Sequence, residues 1–260
     1  MSYIRRNKVE LDLFTRSQLL IGTESLNKLK DSHVAIFGIG GVGSFATEAL
    51  ARTGVGEITL IDYDDICITN INRQIHATTL TVGQSKVEIM KKRILEINPN
   101  VKVHIYKELY NFTNAERLLN NKYDYVIDAI DMITSKLDLI VRCKEKNIPI
   151  ISSMGAGNKL DPTKFVVEDI YKTSICPLAK VIRKELRKRD VKDLKVVYSK
   201  EKPLTPLKLN KNPEDKTITE DGINNSFQKR QTPGSVSFVP PVVGLIIASV
   251  VVKDLIGWNN

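Results

Sequence analysis

Short apolar runs alternate with amphipathic stretches over the first 155 residues, which predicts strands that alternate with helices. The apolar run His33–Phe37 ends in a glycine-rich turn, a helical stretch over 44–53 follows, and a second apolar run covers 57–62. This order of strand, glycine turn, helix and strand is a βαβ unit, which implies a parallel sheet. The alternation continues with predicted helices over 10–30, 82–98, 114–119 and 135–147, and predicted strands over 101–106, 123–130 and 148–152. We therefore predict an α/β fold of the Rossmann-like kind, with a mostly parallel, doubly wound sheet and helices on both faces.

The pattern weakens in the second half, where we predict a strand over 164–170 and a basic helix over 178–189. Residues 199–235 are polar and rich in proline, which predicts a long, mobile crossover loop. The apolar run 239–252 begins with two prolines and is shorter than the ~20 residues that a membrane span needs. We interpret this run as a buried helix entered through proline, with a membrane-associated tail as the alternative. The whole chain, 1–260, is predicted to be a single domain.

Composition and charge narrow the classes of partner and site. Lysine and arginine outnumber aspartate and glutamate by 39 to 30, and the net charge of +9 suits nucleic acid, a nucleotide or an acidic membrane surface. The three cysteines, Cys67, Cys143 and Cys176, form no CxxC pair, so neither a disulfide scaffold nor a structural zinc site is expected. Such separated cysteines favour a reducing cytoplasm as the compartment, with peripheral membrane association as the alternative. The first residues lack an apolar core of signal-peptide length.

A glycine-rich loop follows the first predicted strand. Gly38, Gly40 and Gly43 have the spacing of the dinucleotide fingerprint, and Gly41 lies in the same loop. The first glycine permits a tight turn, the second lets the backbone approach a phosphate, and the third lets helix and strand pack closely. Asp62 ends the second predicted strand, where an acidic residue can bind a ribose hydroxyl. This arrangement predicts a nucleotide site, with a glycine turn that merely packs as the alternative.

Charged and amide side chains follow the predicted strand ends. They are Asp64, Asn70, Asn72, Arg73 and Gln74 after the second strand, Lys86 at a helix start, and Asp128, Asp131 and Lys136 near a later strand. The carboxyl ends of strands in a doubly wound sheet share one rim, so these side chains can converge. Arg73 and Lys86 suit the phosphates of ATP, and Asp131 suits Mg²⁺. The set supports attack on an α-phosphate; the alternatives are solvated surface charges and, for Asp131, a helix N-cap.

Several of these segments resemble a known family. Residues 69–74 (TNINRQ) and 81–86 (TVGQSK) resemble the adenylation core of E1-like enzymes, which include the activators of molybdopterin and thiamine sulfur-carrier proteins. Residues 128–131 resemble the Mg²⁺-binding segment of that family. Arg16, within 14–22, resembles an arginine that the family contributes from a partner subunit.

The resemblance implies an enzyme that uses ATP and Mg²⁺ and that forms a homodimer. The catalytic residues that it implies are Arg16, Arg73, Lys86 and Asp131. The ATP-binding residues are predicted to be Gly38, Gly40, Gly41, Gly43, Asp62, Asp64, Asn70, Asn72, Arg73 and Lys86. Asp131 is the predicted Mg²⁺ ligand.

The second half resembles one branch of that family. Residues 155–163 (GAGNKLDPT), 176–179 (CPLA) and 233–241 (PGSVSFVPP) resemble the tRNA threonylcarbamoyladenosine dehydratases. The resemblance implies that the carboxylate of threonylcarbamoyladenosine, in the anticodon loop of tRNA, is adenylated and then attacked from within the same nucleoside. A ring closes, AMP leaves, and the nucleoside loses the elements of water. tRNA is then the predicted partner, with a sulfurtransferase as a further candidate.

The basic helix over 178–189 fits an RNA contact whose strength falls as salt rises, and an ordinary solvated face is the alternative.

Two other functions compete with the tRNA reaction. The same site could activate a small sulfur-carrier or ubiquitin-like protein, with Cys67 or Cys176 as a reactive thiol; the missing CxxC pairs weigh against this. A non-catalytic NAD-binding module is disfavoured by the cations near the glycine loop. His33 and His104 show no metal-ligand spacing and are interpreted as structural.

Overall fold

A seven-stranded sheet forms the centre of the part of the chain that the computed structural model describes, residues 12–120, 122–207 and 233–258. In chain order the strands are β1 (His33–Phe37), β2 (Glu57–Ile61), β3 (Lys102–Tyr106), β4 (Tyr125–Asp128), β5 (Ile150–Ser153), β6 (Phe165–Asp169) and β7 (Lys195–Ser199). Their order across the sheet is β3-β2-β1-β4-β5-β7-β6, and all neighbours are parallel except β6 and β7. The predicted mostly parallel α/β fold is confirmed.

Helices cover both faces of this sheet. They are α1 (Thr15–Lys30), α2 (Gly43–Thr53), α3 (Lys86–Ile97), α4 (Ala115–Leu118), α5 (Ile133–Glu145), α6 (Pro177–Lys188) and α7 (Pro240–Ile256). Alternate residues of β1 are fully buried on opposite faces: Val34 and Ile36 pack with α2, α3 and α7, whereas Ala35 and Phe37 pack with α4, α5 and α6. A strand that is buried on both faces is expected to be apolar throughout, as β1 is.

The C-terminal apolar run forms α7, a core helix, as predicted. Pro240 and Pro241 occupy its first turn, where the missing N–H groups cost nothing. Val243 and Ile247 are fully buried in the core. A Cβ added at Gly244 would lie 2.4 Å from the carbonyl oxygen of Val42, so α7 approaches the start of α2 at backbone distance. No helix within the described residues has the length and apolarity that crossing a bilayer requires.

The start of α3 was predicted too early. The helix begins at Lys86 rather than at residue 82. The N–H of Gly83 donates to Ile66 O and the N–H of Ile66 donates to Gln84 O, each over 2.8 Å. These backbone groups therefore pair with the chain after β2, and they cannot also make helical hydrogen bonds.

Strand β7 was missed, because its apolar run is short and lies beside a polar, proline-rich stretch. Val196, Val197 and Tyr198 are buried, and Ser199, predicted to begin a loop, is the last residue of the strand. Residues 200–207 and 233–235 contain no helix or strand. The remainder of the predicted crossover loop, 208–232, lies outside the described residues.

The close approach of α2 and α7 predicts that Gly244→Ala destabilises the protein. The new methyl group would also lie 2.8 Å from Ala46 N, so both helices must shift. Overpacking of this kind costs about 1–3 kcal/mol in the free energy of unfolding. Urea denaturation measures the change. Ser249→Ala, at an exposed position of the same helix, is the control and should stay within about 0.5 kcal/mol of wild type. Equal stability of Gly244→Ala and wild type would contradict the packing described.

Candidate functional site

The glycine loop between β1 and α2 is held against the end of β4. A Cβ added at Gly38, where φ is +89°, would lie 2.6 Å from the carbonyl oxygen of Ala129. A Cβ added at Gly43 would lie 1.8 Å from the carbonyl oxygen of Gly38. Both positions therefore require glycine. Helix α2 begins without a side-chain cap, so its first N–H groups lie at the loop, where an anion is favoured.

The glycine loop lies where the order of strands across the sheet reverses direction. Strand β1 pairs with β2 on one side and with β4 on the other, and the chain reaches those two strands by crossovers in opposite directions. This is the topological switch point, where doubly wound sheets bind ligands at the carboxyl ends of their strands.

Asp62, at the end of β2, joins the loop to the neighbouring strand. Its Oδ2 accepts a 2.6 Å hydrogen bond from the N–H of Ile39, and its Oδ1 accepts a 2.9 Å bond from the N–H of Asp64. Burial raises the pKa of this carboxyl, and the Lys86 ammonium acts in the opposite direction. Asp62 therefore fixes the position of the glycine loop, a contribution that the sequence did not indicate.

Lys86, the first residue of α3, is buried and paired with carboxylates. Its ammonium lies 3.9 Å from Asp62 Oδ1 and forms a close ion pair with Asp64 Oδ2. The backbone N–H of Lys86 also donates to Asp64 O over 3.2 Å. The sequence predicts that Lys86 binds phosphates, and that prediction stays open; in the fold its ammonium lies between two carboxylates beside the loop.

The segment between β2 and α3 brings the predicted arginine to the loop. A Cβ added at Gly41 would lie 3.3 Å from Arg73 Cγ, so the two residues are neighbours. Nη1 of Arg73 donates to Thr69 O over 2.8 Å and to Asn72 Oδ1 over 3.0 Å. These contacts orient the half-buried guanidinium beside the glycine loop.

The two asparagines of this segment that were predicted to bind ATP form side-chain hydrogen bonds to backbone groups. Asn70 is buried, and its Oδ1 accepts from the N–H of Cys67 over 3.0 Å. Nδ2 of Asn72 donates to Ser235 O over 2.9 Å, which attaches the chain before α7 to the loop region. The structure therefore gives Asn70 a positioning contact within its own turn.

A buried ion pair holds the segment after β4. Asp128 and Lys136 are both fully buried, and Lys136 Nζ lies 2.7 Å from Asp128 Oδ2. The ammonium also donates to Ser152 Oγ over 3.2 Å and to Ser153 O over 3.0 Å. Lys136 was among the side chains expected to converge near the strand ends, but its three N–H groups are all used inside the protein, so it cannot contact a ligand there. The serines of β5 were missed, since serine gives no pattern that reveals a buried partner.

Asp131 lies beyond that pair and is exposed. Helix α5 has Met132 at its N-cap, and no side chain caps it, so the helix-cap alternative for Asp131 is wrong. Within the described residues no hydrogen bond or ion pair involves its carboxylate. Asp131 is therefore open to an external ligand, next to Ala129 and Ile130, against which Gly38 packs.

Arg16 stands apart from these residues. It is exposed on α1, and none of the described residues forms a hydrogen bond or ion pair with it. Leu19 and Leu20, on the same helix, are each 80% exposed. A single chain therefore brings together the glycine loop, Asp62, Arg73, Lys86 and Asp131, but not Arg16.

Two buried side chains of the same segment have unused polar atoms. Both ring nitrogens of His76 and Oε1 of Gln74 find no hydrogen-bond partner within the described residues. A Cβ added at Gly40 would lie 3.9 Å from Gln74 Nε2, so this amide borders the loop. Buried polar groups normally have partners, so Gln74 Oε1 fits a site that accepts a polar ligand.

His76 is held neutral beneath the site. Burial, followed by repulsion from Lys86 and Arg93, lowers its pKa to about 3. Unfolded, the ring would take up a proton near its ordinary pKa of 6.5. The unfolded chain therefore binds more protons between these values, so stability present above the unfolded pKa is lost as pH falls.

We predict that His76→Gln makes the protein less sensitive to mild acid. Between pH 7 and pH 5 the histidine should account for a loss of about 2 kcal/mol in the free energy of unfolding. Glutamine cannot take up a proton, so the variant should lack this part of the loss. Urea denaturation of both proteins at the two pH values measures it. An identical loss in wild type and variant would show that His76 is not the group responsible.

Comparisons with known proteins agree with this geometry. The model of the ThiF family matches residues 14–260. The chain is 47% identical over 254 residues to the tRNA threonylcarbamoyladenosine dehydratase of Bacillus subtilis, covering 95% of each sequence. It is 33% identical to the molybdopterin-synthase adenylyltransferase of Escherichia coli over 54% of this chain and 56% of that protein.

A solved structure is similar over nearly the same extent. The crystal structure of the Escherichia coli tRNA N6-threonylcarbamoyladenosine dehydratase in complex with ATP is 36% identical, with a TM-score of 0.82, covering 94% of this chain and 93% of that chain. The family match, which runs to residue 260, includes α6, β7 and α7, the elements that follow the adenylation motifs.

Proposed function

Because the chain belongs to the ThiF family, and within it to the branch of tRNA threonylcarbamoyladenosine dehydratases, we propose that it adenylates threonylcarbamoyladenosine in tRNA and then cyclises it. One observation carries the proposal. The glycine loop lies at the switch point, where doubly wound sheets have their ligand crevice. Arg73 and Asp131 lie beside this loop, in a chain similar over 94% of its length to an enzyme crystallised with ATP. In this proposal residues 1–260 form a single adenylation domain.

The crevice suits the parts of ATP. The glycine loop and the uncapped start of α2 offer backbone N–H groups to phosphates. Arg73, beside Gly41, adds a guanidinium that can bind phosphate oxygens through two N–H groups. Asp62 keeps lone pairs for a ribose hydroxyl while it holds the loop. Lys86 offsets the charges of Asp62 and Asp64, which would otherwise repel the triphosphate.

Mg²⁺ fits the donor set at Asp131. The carboxylate is exposed, forms no ion pair within the described residues, and lies next to the loop proposed for the phosphates. Mg²⁺ usually takes one or two carboxylates together with phosphate oxygens. When bound, it would neutralise charge that develops as pyrophosphate leaves.

The proposed chemistry has two steps. A carboxylate oxygen of the nucleoside attacks the α-phosphorus of ATP, and the bond to pyrophosphate breaks. A nucleophile of the same modified side chain then attacks the acyl carbon, loses a proton, and displaces AMP, which keeps one carboxylate oxygen. The nucleoside thus loses the elements of water. Arg73 holds the phosphates, and the loop N–H groups stabilise the charge that grows on them.

The proposed tRNA contact lies on α6. Lys180, Lys184 and Arg187 are exposed, whereas Ile182 and Leu186 are buried. Val181, which follows Lys180 in the sequence, is 42% exposed. Arg187 stacks over the ring of Tyr171, with 5.3 Å to its centroid. An amphipathic helix with cations on its outer face suits an RNA backbone.

The remaining proposals concern the oligomeric state, a partner protein and the cellular compartment. We propose a homodimer in which Arg16 of each subunit completes the site of the other, since Arg16 and the exposed Leu19 and Leu20 lie on α1. A sulfurtransferase is a candidate partner, and the cytoplasm is the proposed compartment.

Mass spectrometry of nucleosides tests the reaction. tRNA that contains threonylcarbamoyladenosine is incubated with the protein, ATP and Mg²⁺, and then digested. The proposal predicts that the nucleoside loses the mass of one water and that AMP appears in equal amount. An unchanged nucleoside, together with pyrophosphate exchange that depends on a small carrier protein, would favour the protein-activating alternative.

We predict that Asp131→Ala and Arg73→Ala each lower this activity at least about a hundredfold, because each removes charge stabilisation from the phosphates. Both side chains lie at the surface of the crevice, so the melting temperature should change little. Asp193→Ala and Arg117→Ala, at exposed positions elsewhere, are matched controls with normal turnover expected. Normal turnover in Asp131→Ala or Arg73→Ala would exclude that residue from the site.

The proposed dimer predicts complementation between inactive subunits. Arg16→Ala and Asp131→Ala are each inactive alone, but a mixed dimer contains one site with both native residues. Random exchange of subunits should therefore restore about a quarter of the native activity. Activity of the mixture is measured against each variant alone. If exchange is demonstrated and no activity returns, Arg16 does not act across the interface.

A further inference from the structure

Three metal-ligating side chains meet at the amino ends of the strands, away from the carboxyl ends where the crevice lies. His33 is the first residue of β1, Glu57 is the first residue of β2, and His104 lies in β3. In the sheet register His33 pairs with Glu57, and His104 pairs with Thr59. Since Glu57 and Thr59 are two residues apart on one strand, all four side chains share one face.

The ligand atoms are close enough to share one ion. Nε2 of His104 lies 2.8 Å from Glu57 Oε1, and Nδ1 of His33 lies 3.6 Å from the same oxygen. One ligand atom from each residue lies within 4.8 Å of the others. Ligands around a tetrahedral Zn²⁺, with bonds of ~2.0–2.1 Å, are about 3.4 Å apart. Small rotations of these side chains would therefore produce a coordination sphere.

An outer partner already orients one imidazole. Nε2 of His33 is hydrogen-bonded to Thr59 Oγ1 over 2.8 Å, which leaves Nδ1 as the atom that faces Glu57. Metal-binding histidines commonly use their second nitrogen in this way, and the contact fixes ring orientation.

The surroundings leave room for a further ligand. A cavity of about 420 Å³ adjoins the cluster and is also lined by Asp31, Tyr106, Lys122 and Asp124. Asp124 accepts the backbone N–H of His33 over 2.8 Å, so its position is fixed at the edge of the cluster. Two imidazoles with one carboxylate suit zinc and similar transition ions, whereas Mg²⁺ prefers an all-oxygen sphere.

We propose that His33, Glu57 and His104 bind one divalent transition-metal ion of the zinc class, at a site separate from the nucleotide crevice. The ion links β1, β2 and the edge strand β3 at their amino ends. Binding to the folded chain stabilises it by an amount that grows with the logarithm of the metal concentration once this exceeds the dissociation constant. The long sequence separations between the three residues explain why no metal-ligand spacing is visible.

Titration of the full chain with Co²⁺ or Zn²⁺, in excess Mg²⁺ to occupy oxygen-rich sites, tests the proposal. One ion per chain should bind, Co²⁺ should give the visible absorption of a low-symmetry nitrogen and oxygen site, and Zn²⁺ should raise the melting temperature. His104→Gln and Glu57→Gln should each weaken binding at least about tenfold. Lys102→Gln, on β3 with its side chain 76% exposed, removes no ligand and should bind at least as well as wild type.

Two outcomes would contradict the proposed metal site. One is the absence of stoichiometric Co²⁺ or Zn²⁺ binding to the metal-free wild-type chain. The other is unchanged affinity in both His104→Gln and Glu57→Gln, which would place the bound ion on other residues. His104 is half-exposed on an edge strand, so its substitution should leave the fold intact, and the melting curve of the metal-free variant verifies this.

Discussion

The structure depends on close backbone contacts at the glycine loop, where other backbone atoms occupy the space that side chains would need. The carbonyl oxygen of Gly38 occupies the place of a side chain at Gly43, and that of Ala129 occupies the place of one at Gly38. These two contacts bring the start of α2 against β1 and bring β1 against the end of β4. The crevice between the two halves of the sheet follows from them, and so does the position of every charged group proposed to act there.

Buried lysines then determine which carboxylates remain available. Lys136 pairs with Asp128 inside the protein, and Lys86 lies between Asp62 and Asp64 beside the loop. A buried carboxylate without such a partner would be costly, so each lysine allows a strand to end in an acidic residue. Asp131 has no such partner within the described residues, and it is the carboxylate that stays open to a cation. Carboxylates that pair with a lysine therefore stabilise the site, whereas an unpaired carboxylate can contact a ligand.

The sequence predicted the fold well, because apolar periodicity and glycine spacing report on contacts within one βαβ unit. It predicted the convergence of Arg73, Lys86 and Asp131 through the rule that strand ends share a rim. It could not predict the partners of Lys86 and Lys136, since these depend on residues that meet only after folding. β7 was missed because its five residues carry a weak signal. The His33, Glu57 and His104 cluster was missed because sheet register, not spacing, brings those residues together.

The account rests most on attack by the nucleoside carboxylate at the α-phosphorus of ATP. A heavy isotope of oxygen placed in that carboxylate follows the bond directly. Mass spectrometry of the products should find one heavy oxygen in AMP and none in pyrophosphate, while the cyclised nucleoside retains the other. Heavy oxygen in inorganic phosphate, or its absence from AMP when the nucleoside has cyclised, would contradict adenylation.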